Sequence, residues 1–197
     1  MTAKRSAQVK RETFETQIEL ELCLEGEGQY EINTGIGFFD HMLSAFAKHG
    51  SFGLKLRCQG DLEVDPHHSI EDVGICLGRA IAEALGDKSG ILRYGYSYVP
   101  MDEALVRAVV DLSGRSFLSF NGEMRREKVG GLPTEMLEDF FRAIAEHGRM
   151  NLHLDLIRGK NAHHCAEAMF KAFGRALSQA VSKGERVSGV PSTKGKL

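Results

Sequence analysis

The sequence predicts an α/β protein made of two similar halves, each with the order β-β-α-β-α, in which the helices pack between two sheets. Two observations support this fold class: short motifs return about a hundred residues later, and each copy lies in the same succession of strand-like and helix-like segments. A recurring unit of this kind indicates an internal duplication. We expect the first half-repeat at residues 1–90, the second at 91–183, and a C-terminal loop at 184–197.

Two motifs carry the repeat. The segment 45–50, Ala-Phe-Ala-Lys-His-Gly, returns at 143–148 as Ala-Ile-Ala-Glu-His-Gly, 98 positions later. The motif His-His-x-x-Glu at 67–71 returns at 163–167, only 96 positions later. Two residues are therefore missing between the matching elements of the second half, and we expect this deletion in a loop.

Hydrophobic periodicity predicts the same elements in each half. Apolar and polar side chains alternate along residues 14–24, the period-two pattern of a strand with one solvent-facing side. The other expected elements are a strand near 29–33, a helix over 37–49, a strand over 52–58, a helix over 67–85, and second-half strands near 94–110 and 117–120. Gly50 follows the first helix at the position where a left-handed glycine commonly ends a helix.

Composition and charge limit the classes of partner. The 197 residues are 42% hydrophobic and 26% charged, and the formal net charge is only −2. Because the basic residues are spread along the chain, we expect a small-molecule substrate and neither a nucleic acid nor a membrane surface as partner. The four cysteines lack paired spacing, and no apolar run reaches the ~18 residues of a bilayer span. A cytoplasmic protein without disulfides is expected.

The repeated His-His-x-x-Glu motif predicts metal binding. Residues four apart lie on one face of a helix, so His67 with Glu71, and His163 with Glu167, can each chelate one divalent ion. One such pair alone is more often structural than metal-binding. Two copies within a duplicated chain favour metal sites.

The second histidine of each motif is expected to face elsewhere. His68 and His164 are each rotated by ~100° from the preceding histidine, the step of an α-helix, and should point to a different ion. Under a pseudo-twofold axis, His164 would join the chelating pair of the first half, and His68 would join that of the second. The two ions would then have equivalent ligands.

The predicted helix before the first motif supplies a further candidate ligand, His41, whose equivalent in the second half is Asp139. Imidazole and carboxylate ligands without thiolate favour a borderline-to-hard divalent ion; Mn²⁺ is our first choice, and Zn²⁺ and Fe²⁺ stay open. The remaining histidines, His49, His147 and His153, are interpreted as structural. The first two precede glycines that end helices, and the third alternates within a strand.

Five segments resemble the imidazoleglycerol-phosphate dehydratase family, and the resemblance extends from about residue 11 to residue 197. They are Val64–Glu71, Gly159–Lys171, Phe38–Leu43, Ser113–Arg115 and Pro191–Gly195, and the first two match the long signatures of that family. The resemblance implies a ribosomal S5 domain 2-like fold, two Mn²⁺ ions per active site and cytoplasmic histidine biosynthesis. It also implies a homo-oligomer, a 24-subunit shell with active sites between subunits.

Motifs and resemblance together give a set of site residues. The metal ligands are His41, His67, His68, Glu71, His163, His164 and Glu167. The implied phosphate-binding residues are Arg93, Arg115, Lys171, Ser192 and Lys194. Glu15 resembles the acid/base glutamate of the family, with Glu71 and Glu167 as further catalytic candidates. The chain departs from the family at Asp139, where a histidine ligand is common, so the ligation there is expected to differ.

The resemblance implies removal of water from an imidazole that carries a dihydroxypropyl phosphate. The hydrogen that is lost is not activated by a carbonyl, so the ring must supply the activation; metal ions on both ring nitrogens would allow this, while a carboxylate removes the proton. Two other functions stay open. A di-metal hydrolase would hold its ions ~3.5–4 Å apart, and a metal-storing shell would leave Glu15 without a role.

Overall fold

A computed structural model describes residues 4–197 of the chain. In the first half the strands and helices are β1 (Ser6–Glu12), β2 (Thr16–Cys23), β3 (Tyr30–Asn33), α1 (Gly37–Gly50), β4 (Gly53–Gly60) and α2 (His67–Leu85). In the second half they are β5 (Tyr94–Met101), β6 (Ala104–Asp111), β7 (Phe117–Asn121), β8 (Lys128–Val129), β9 (Leu132–Pro133), α3 (Met136–His147), β10 (Asn151–Arg158) and α4 (Ala162–Val181). No helix among the described residues is long and apolar enough to cross a membrane.

The two halves have the same sheet topology, which confirms the predicted duplication. One four-stranded sheet has the order β1-β2-β4-β3 and the other the order β5-β6-β10-β7. In each sheet the last pair is parallel, and the other pairs are antiparallel. The paired strands β8 and β9 interrupt this correspondence only as an insertion before α3.

Apart from the inserted pair β8 and β9, each half contains one strand more than the predicted order β-β-α-β-α. Strand β1 was not predicted because it lies at a sheet edge and buries only Val9 fully, so its hydrophobic alternation is weak. In the second half, the predicted strand over 94–110 is a hairpin that turns at Asp102 and Glu103. Asp102 has a left-handed backbone with φ of 47°, a conformation that aspartate tolerates better than most residues.

All four helices lie between the two sheets, as predicted. Helix α2 packs on β1 and β2, and α4 packs on β5 and β6. The helices also pair across the halves, α1 with α4 and α2 with α3. Phenylalanines fill the space between these layers, and those fully buried are Phe39, Phe46, Phe52, Phe140, Phe141, Phe170 and Phe173. The predicted two-residue deletion lies in the loop between β10 and α4, which is shorter than the equivalent loop between β4 and α2.

Glycines bring the paired helices unusually close together. A Cβ atom at Gly174 would lie 2.6 Å from the carbonyl oxygen of Phe46, and one at Gly78 would lie 2.9 Å from the backbone N of Gly148. Both distances are shorter than any ordinary van der Waals contact. The prediction that Gly50 forms a left-handed cap is wrong: Gly50 belongs to the helix and faces Gly174. The left-handed residue that ends the helix is Ser51, with φ of 57°.

We predict that Gly174→Ala destabilises the fold. The added methyl must displace the backbone of α1, and overpacking of this kind costs about 1–3 kcal/mol of unfolding free energy. Gly37→Ala is the matched control, because no atom lies within 4 Å of a Cβ at this helical position. Denaturant unfolding at equal protein concentration should show a lower midpoint for Gly174→Ala only. Equal midpoints for the two variants would contradict a close-packed crossing.

Candidate metal centre and surrounding site

Three predicted ligands come together on two helices of opposite halves. His41 of α1 and His163 of α4 place their Nε2 atoms 3.2 and 3.1 Å from the same oxygen of Glu167. One ligand atom from each residue lies within 4.8 Å of the others, the spacing needed to surround one cation. This is the only such group of three among residues 4–197. Two imidazoles and a carboxylate fit a divalent transition-metal ion.

Lys171 completes the surroundings of this cluster. Its Nζ lies 2.6 Å from the second carboxylate oxygen of Glu167, one helical turn further along α4. Burial disfavours the ionised form of Glu167, but the ion pair with Lys171 and the contact with His41 outweigh it and lower the pKa of this carboxyl. Glu167 is therefore ionised at neutral pH. Phe38 packs edge-on against the ring of His163.

The corresponding pair of the first half is more open. His67 Nε2 lies 3.8 Å from Glu71 Oε2, and both side chains are nearly half exposed. Asp139, at the position equivalent to His41, forms no three-residue group with this pair within the described part of the chain. An aspartate carboxylate lies nearer its own backbone than the Nε2 of a histidine, which explains the difference. The two halves therefore present unequal ligand sets.

A side-chain oxygen accepts a backbone N–H at the start of each histidine motif. The backbone N–H of His67 donates to the carboxylate of Asp65 at 2.7 Å, and that of His163 donates to the amide oxygen of Asn161 at 3.0 Å. Asp65 and Asn161 occupy equivalent positions in the repeat. These two contacts hold the backbone at the start of both motifs in the same way.

The second histidine of each motif does not join the other pair within one chain, contrary to the predicted exchange. His164 Nδ1 lies 2.8 Å from Glu103, and His68 Nδ1 lies 3.0 Å from Asp61. The rotation of about 100° per residue does turn these rings away from their neighbours, but towards nearby turns of their own halves. The loop between β4 and α2 lies in this direction for His68, and the hairpin between β5 and β6 lies there for His164.

The acidic turns set the charge of these two histidines. Asp61 raises the pKa of His68, and Glu103 raises the pKa of His164. The carboxylate of Glu103 also accepts the backbone N–H groups of Lys160 and Asn161 at 3.0 and 2.7 Å. Hydrogen bonds from His164 and then from these two amides lower the pKa of Glu103 to about 2.

Glu15 lies in the turn between β1 and β2, beside this first-half histidine. Its Oε1 atom is 3.6 Å from Nε2 of His68, on the opposite side of the ring from Asp61. The turn is held by Thr13, whose hydroxyl oxygen accepts the backbone N–H groups of Glu15 and Thr16 at 3.1 and 2.9 Å. The carboxylate is half exposed, so it is free to meet a ligand from solvent.

The predicted phosphate-binding residues fall into separate groups within one chain. Lys171 lies beside Met101 at the end of β5, whereas Arg93 directly precedes its start. A strand rises ~3.3 Å per residue, so Arg93 lies about 26 Å from the strand end that the Lys171 side chain contacts, eight residues further along. One phosphate cannot contact both groups in a single subunit.

Arg93 anchors the C-terminal segment that carries Ser192 and Lys194. Its guanidinium donates to both carboxylate oxygens of Asp111 at 2.7 and 3.2 Å and to the carbonyl oxygen of Pro191 at 2.9 Å. Further along, the last residue, Leu197, lies directly against Gly114. The segment thus joins Arg93 to the turn that contains Arg115, and these four predicted residues share one end of the sheet.

A buried ionic contact supports the helix of the first motif, and sequence analysis did not find it. Asp72 is only 5% exposed; it accepts the hydroxyl of Thr16 at 2.5 Å and pairs with Arg11 at 2.8 Å. The equivalent position in the second half is Ala168. A charged residue next to Glu71 on an otherwise apolar helix face was the available signal. This contact fastens α2 to β1 and β2.

The three histidines interpreted as structural remain outside the metal cluster. His49, His147 and His153 belong to no three-residue ligand group within residues 4–197. Burial, and then the charge of Arg79, lowers the pKa of His147, which keeps its ring neutral in the folded protein. His153 packs against Phe117 with a centroid distance of 5.9 Å.

Known proteins share this sequence and fold over nearly the whole chain. The imidazoleglycerol-phosphate dehydratase family profile matches residues 34–177. The imidazoleglycerol-phosphate dehydratase of Salinibacter ruber is 57% identical, with 98% of this chain and 96% of the relative covered. That of Clostridium acetobutylicum is 55% identical, with both chains fully covered.

Solved structures give the same result. The crystal structure of imidazoleglycerol-phosphate dehydratase from Staphylococcus aureus superposes with a TM-score of 0.83 at 44% identity, covering 91% of this chain and 99% of the other. The enzyme from Pyrococcus furiosus in complex with (S)-C348 gives a TM-score of 0.80 at 37% identity, covering 96% and 100%. The chain belongs to the imidazoleglycerol-phosphate dehydratase family.

Proposed function

We propose that this protein is a metal-dependent hydro-lyase that removes water from imidazoleglycerol phosphate to give imidazoleacetol phosphate in histidine biosynthesis. Its family membership supports the reaction. The observation that carries the metal dependence is the cluster of His41, His163 and Glu167, whose ligand atoms lie within 4.8 Å of one another. A cytoplasmic location belongs to the proposal, and it is supported by four cysteines that are all free thiols.

The metal proposed is Mn²⁺, with two ions per active site. His41, His163 and Glu167 would hold one ion, and His67 with Glu71 would hold the other, with His68 and His164 as further ligands. The imidazole and carboxylate donors fit Mn²⁺, as they fit Fe²⁺ and Zn²⁺. When bound, such ions draw electron density from the imidazole ring of the substrate and fix its orientation.

The chain's own side chains supply the proton transfer and the phosphate contacts. Glu15 is the proposed base that takes the proton from the substrate carbon, since its carboxylate is half exposed and lies 3.6 Å from the ring of His68. Glu71 and Glu167 are assigned first to the metal, because each forms a chelating pair with a histidine. A metal-storing shell would give Glu15 no role in this position.

The active site is proposed to lie between subunits of a homo-oligomer of 24 copies. The separation of Lys171 from the group around Arg93 supports this, because a single phosphate can reach both only if they come from different chains. Exposed aromatic side chains on the outer face of the second sheet also support association: Tyr94, Tyr96 and Tyr98 lie along edge strand β5, and Phe117 lies on the opposite edge strand, β7. Exposed apolar surface of this extent is typical of an interface.

We predict that metal removal abolishes dehydratase activity and that Mn²⁺ restores it. Chelated protein should lose formation of imidazoleacetol phosphate, measured directly from imidazoleglycerol phosphate, and regain it when Mn²⁺ is added. Metal content measured on the same samples should approach two ions per active site. Full turnover in protein verified to be free of metal would refute the proposed mechanism.

A second prediction separates proton transfer from phosphate binding. Glu15→Gln keeps the size of the side chain but removes its basicity, so kcat should fall by ~10²-fold or more with KM little changed. Lys194→Ala removes a cation from the phosphate and should mainly raise KM. Lys171→Ala is a less specific probe, because Lys171 also pairs with Glu167 in the metal cluster. If Glu15→Gln kept the wild-type kcat, Glu15 would be an ordinary turn residue without a role in proton transfer.

A third prediction tests whether sites are shared between subunits. At substrate concentrations well below the raised KM of Lys194→Ala, co-expression of Glu167→Ala and Lys194→Ala chains should restore activity, since about a quarter of the sites in randomly mixed oligomers combine an intact Glu167 from one chain with an intact Lys194 from another. The control pair is Glu167→Ala with His163→Ala, which alter one cluster within one chain and should not complement. Verified mixed oligomers without recovered activity would place both residues in the same subunit.

A further inference from the structure

We propose that Asp61 and Glu103 are positioning residues that hold the Nδ1–H form of His68 and His164 and thereby direct Nε2 of each ring to a divalent metal ion. This inference rests on the proposed metal-dependent function and names the residues that prepare its ligands. Neither carboxylate belongs to the clusters of predicted ligands. Both act through a neighbouring histidine.

The geometry is the same in both halves. Asp61 places both carboxylate oxygens near Nδ1 of His68, at 3.2 and 3.0 Å, and Glu103 places one oxygen 2.8 Å from Nδ1 of His164. An ionised carboxylate only accepts hydrogen bonds, so each ring must carry its proton on Nδ1 to satisfy this contact. In the neutral ring, Nε2 then has a free lone pair, which is the state required of a metal ligand.

Among the described residues, no hydrogen bond is made at the opposite edge of either ring. Nε2 of His68 lies 3.6 Å from Glu15, and Nε2 of His164 lies 3.6 Å from Asp102, both beyond hydrogen-bond distance. The ring nitrogens therefore differ: Nδ1 is anchored by a hydrogen bond, and Nε2 faces a second carboxylate at a partly exposed position. Carboxylate–histidine pairs of this kind orient metal-binding imidazoles and raise their basicity.

The two carboxylates differ in their other contacts, and this difference provides the test. Asp61 makes no other side-chain hydrogen bond among the described residues, whereas Glu103 also accepts the backbone N–H groups of Lys160 and Asn161 through its other oxygen. Asn at position 61 is free to turn its amide oxygen to His68. Gln at position 103 must keep its oxygen on the two backbone groups, so its NH₂ faces His164.

Asp61→Asn and Glu103→Gln make the same carboxylate-to-amide change, but we expect the first to preserve Mn²⁺ binding and the second to weaken it. Facing an NH₂ donor, His164 must accept on Nδ1 and carry its proton on Nε2, which blocks metal binding. Mn²⁺ titration of the metal-stripped full-length protein by calorimetry should show ~10- to 100-fold weaker binding for Asp61→Ala and Glu103→Gln. Asp61→Asn should recover most of the affinity lost in Asp61→Ala.

Glu63→Ala is the matched control, because it removes the same charge from the same exposed loop without contacting His68. Its Mn²⁺ affinity should equal that of wild type, and thermal unfolding of all metal-free variants should show intact folds. Wild-type affinity in Asp61→Ala, or equal losses in Asp61→Asn and Asp61→Ala, would overturn the inference. If the wild-type protein itself bound no Mn²⁺, the proposed function would fail, and this inference would fail with it.

Discussion

The contact between helices of opposite halves is the constraint on which the site depends. Gly50 and Gly174 allow α1 and α4 to approach until backbone meets backbone. Across this same helix pair, the side chain of His41 on α1 meets His163 and Glu167 on α4. A larger residue at the crossing would move α1 outward and take one ligand with it. Packing and ligand geometry are therefore set by the same two glycines.

The sequence was sufficient to predict the duplication, the four helices and the proximity of histidine to glutamate in each motif, because each leaves a periodic signal. Helical spacing places Glu167 beside His163, and repetition distinguishes this pair from a chance occurrence. It was insufficient for the partners of His68 and His164. A helical wheel gives the direction of a side chain but not the element that lies there, and here that element is a turn. Edge strand β1 was not predicted because only Val9 is buried in it, so apolar and polar residues hardly alternate along its sequence.

The two halves have diverged around a shared framework. His41 completes a compact cluster in one half, while Asp139 leaves the equivalent pair more open. In the opposite sense, the first half alone has the buried contact of Asp72 with Thr16 and Arg11. A buried carboxylate of this kind is stable only while its partners remain. The start of α2 is thus held by charge and the start of α4 by apolar packing around Ala168.

The hydrogen bonds to His68 and His164 have a consequence for the descent of this protein. Asp61 belongs to the loop before α2, in the region that the second half has shortened, whereas Glu103 belongs to a hairpin between strands. An alignment of the two halves cannot match these residues, although they make the same contact with equivalent histidines. The two halves of a duplicated chain can thus reach the same hydrogen bond from different parts of the backbone.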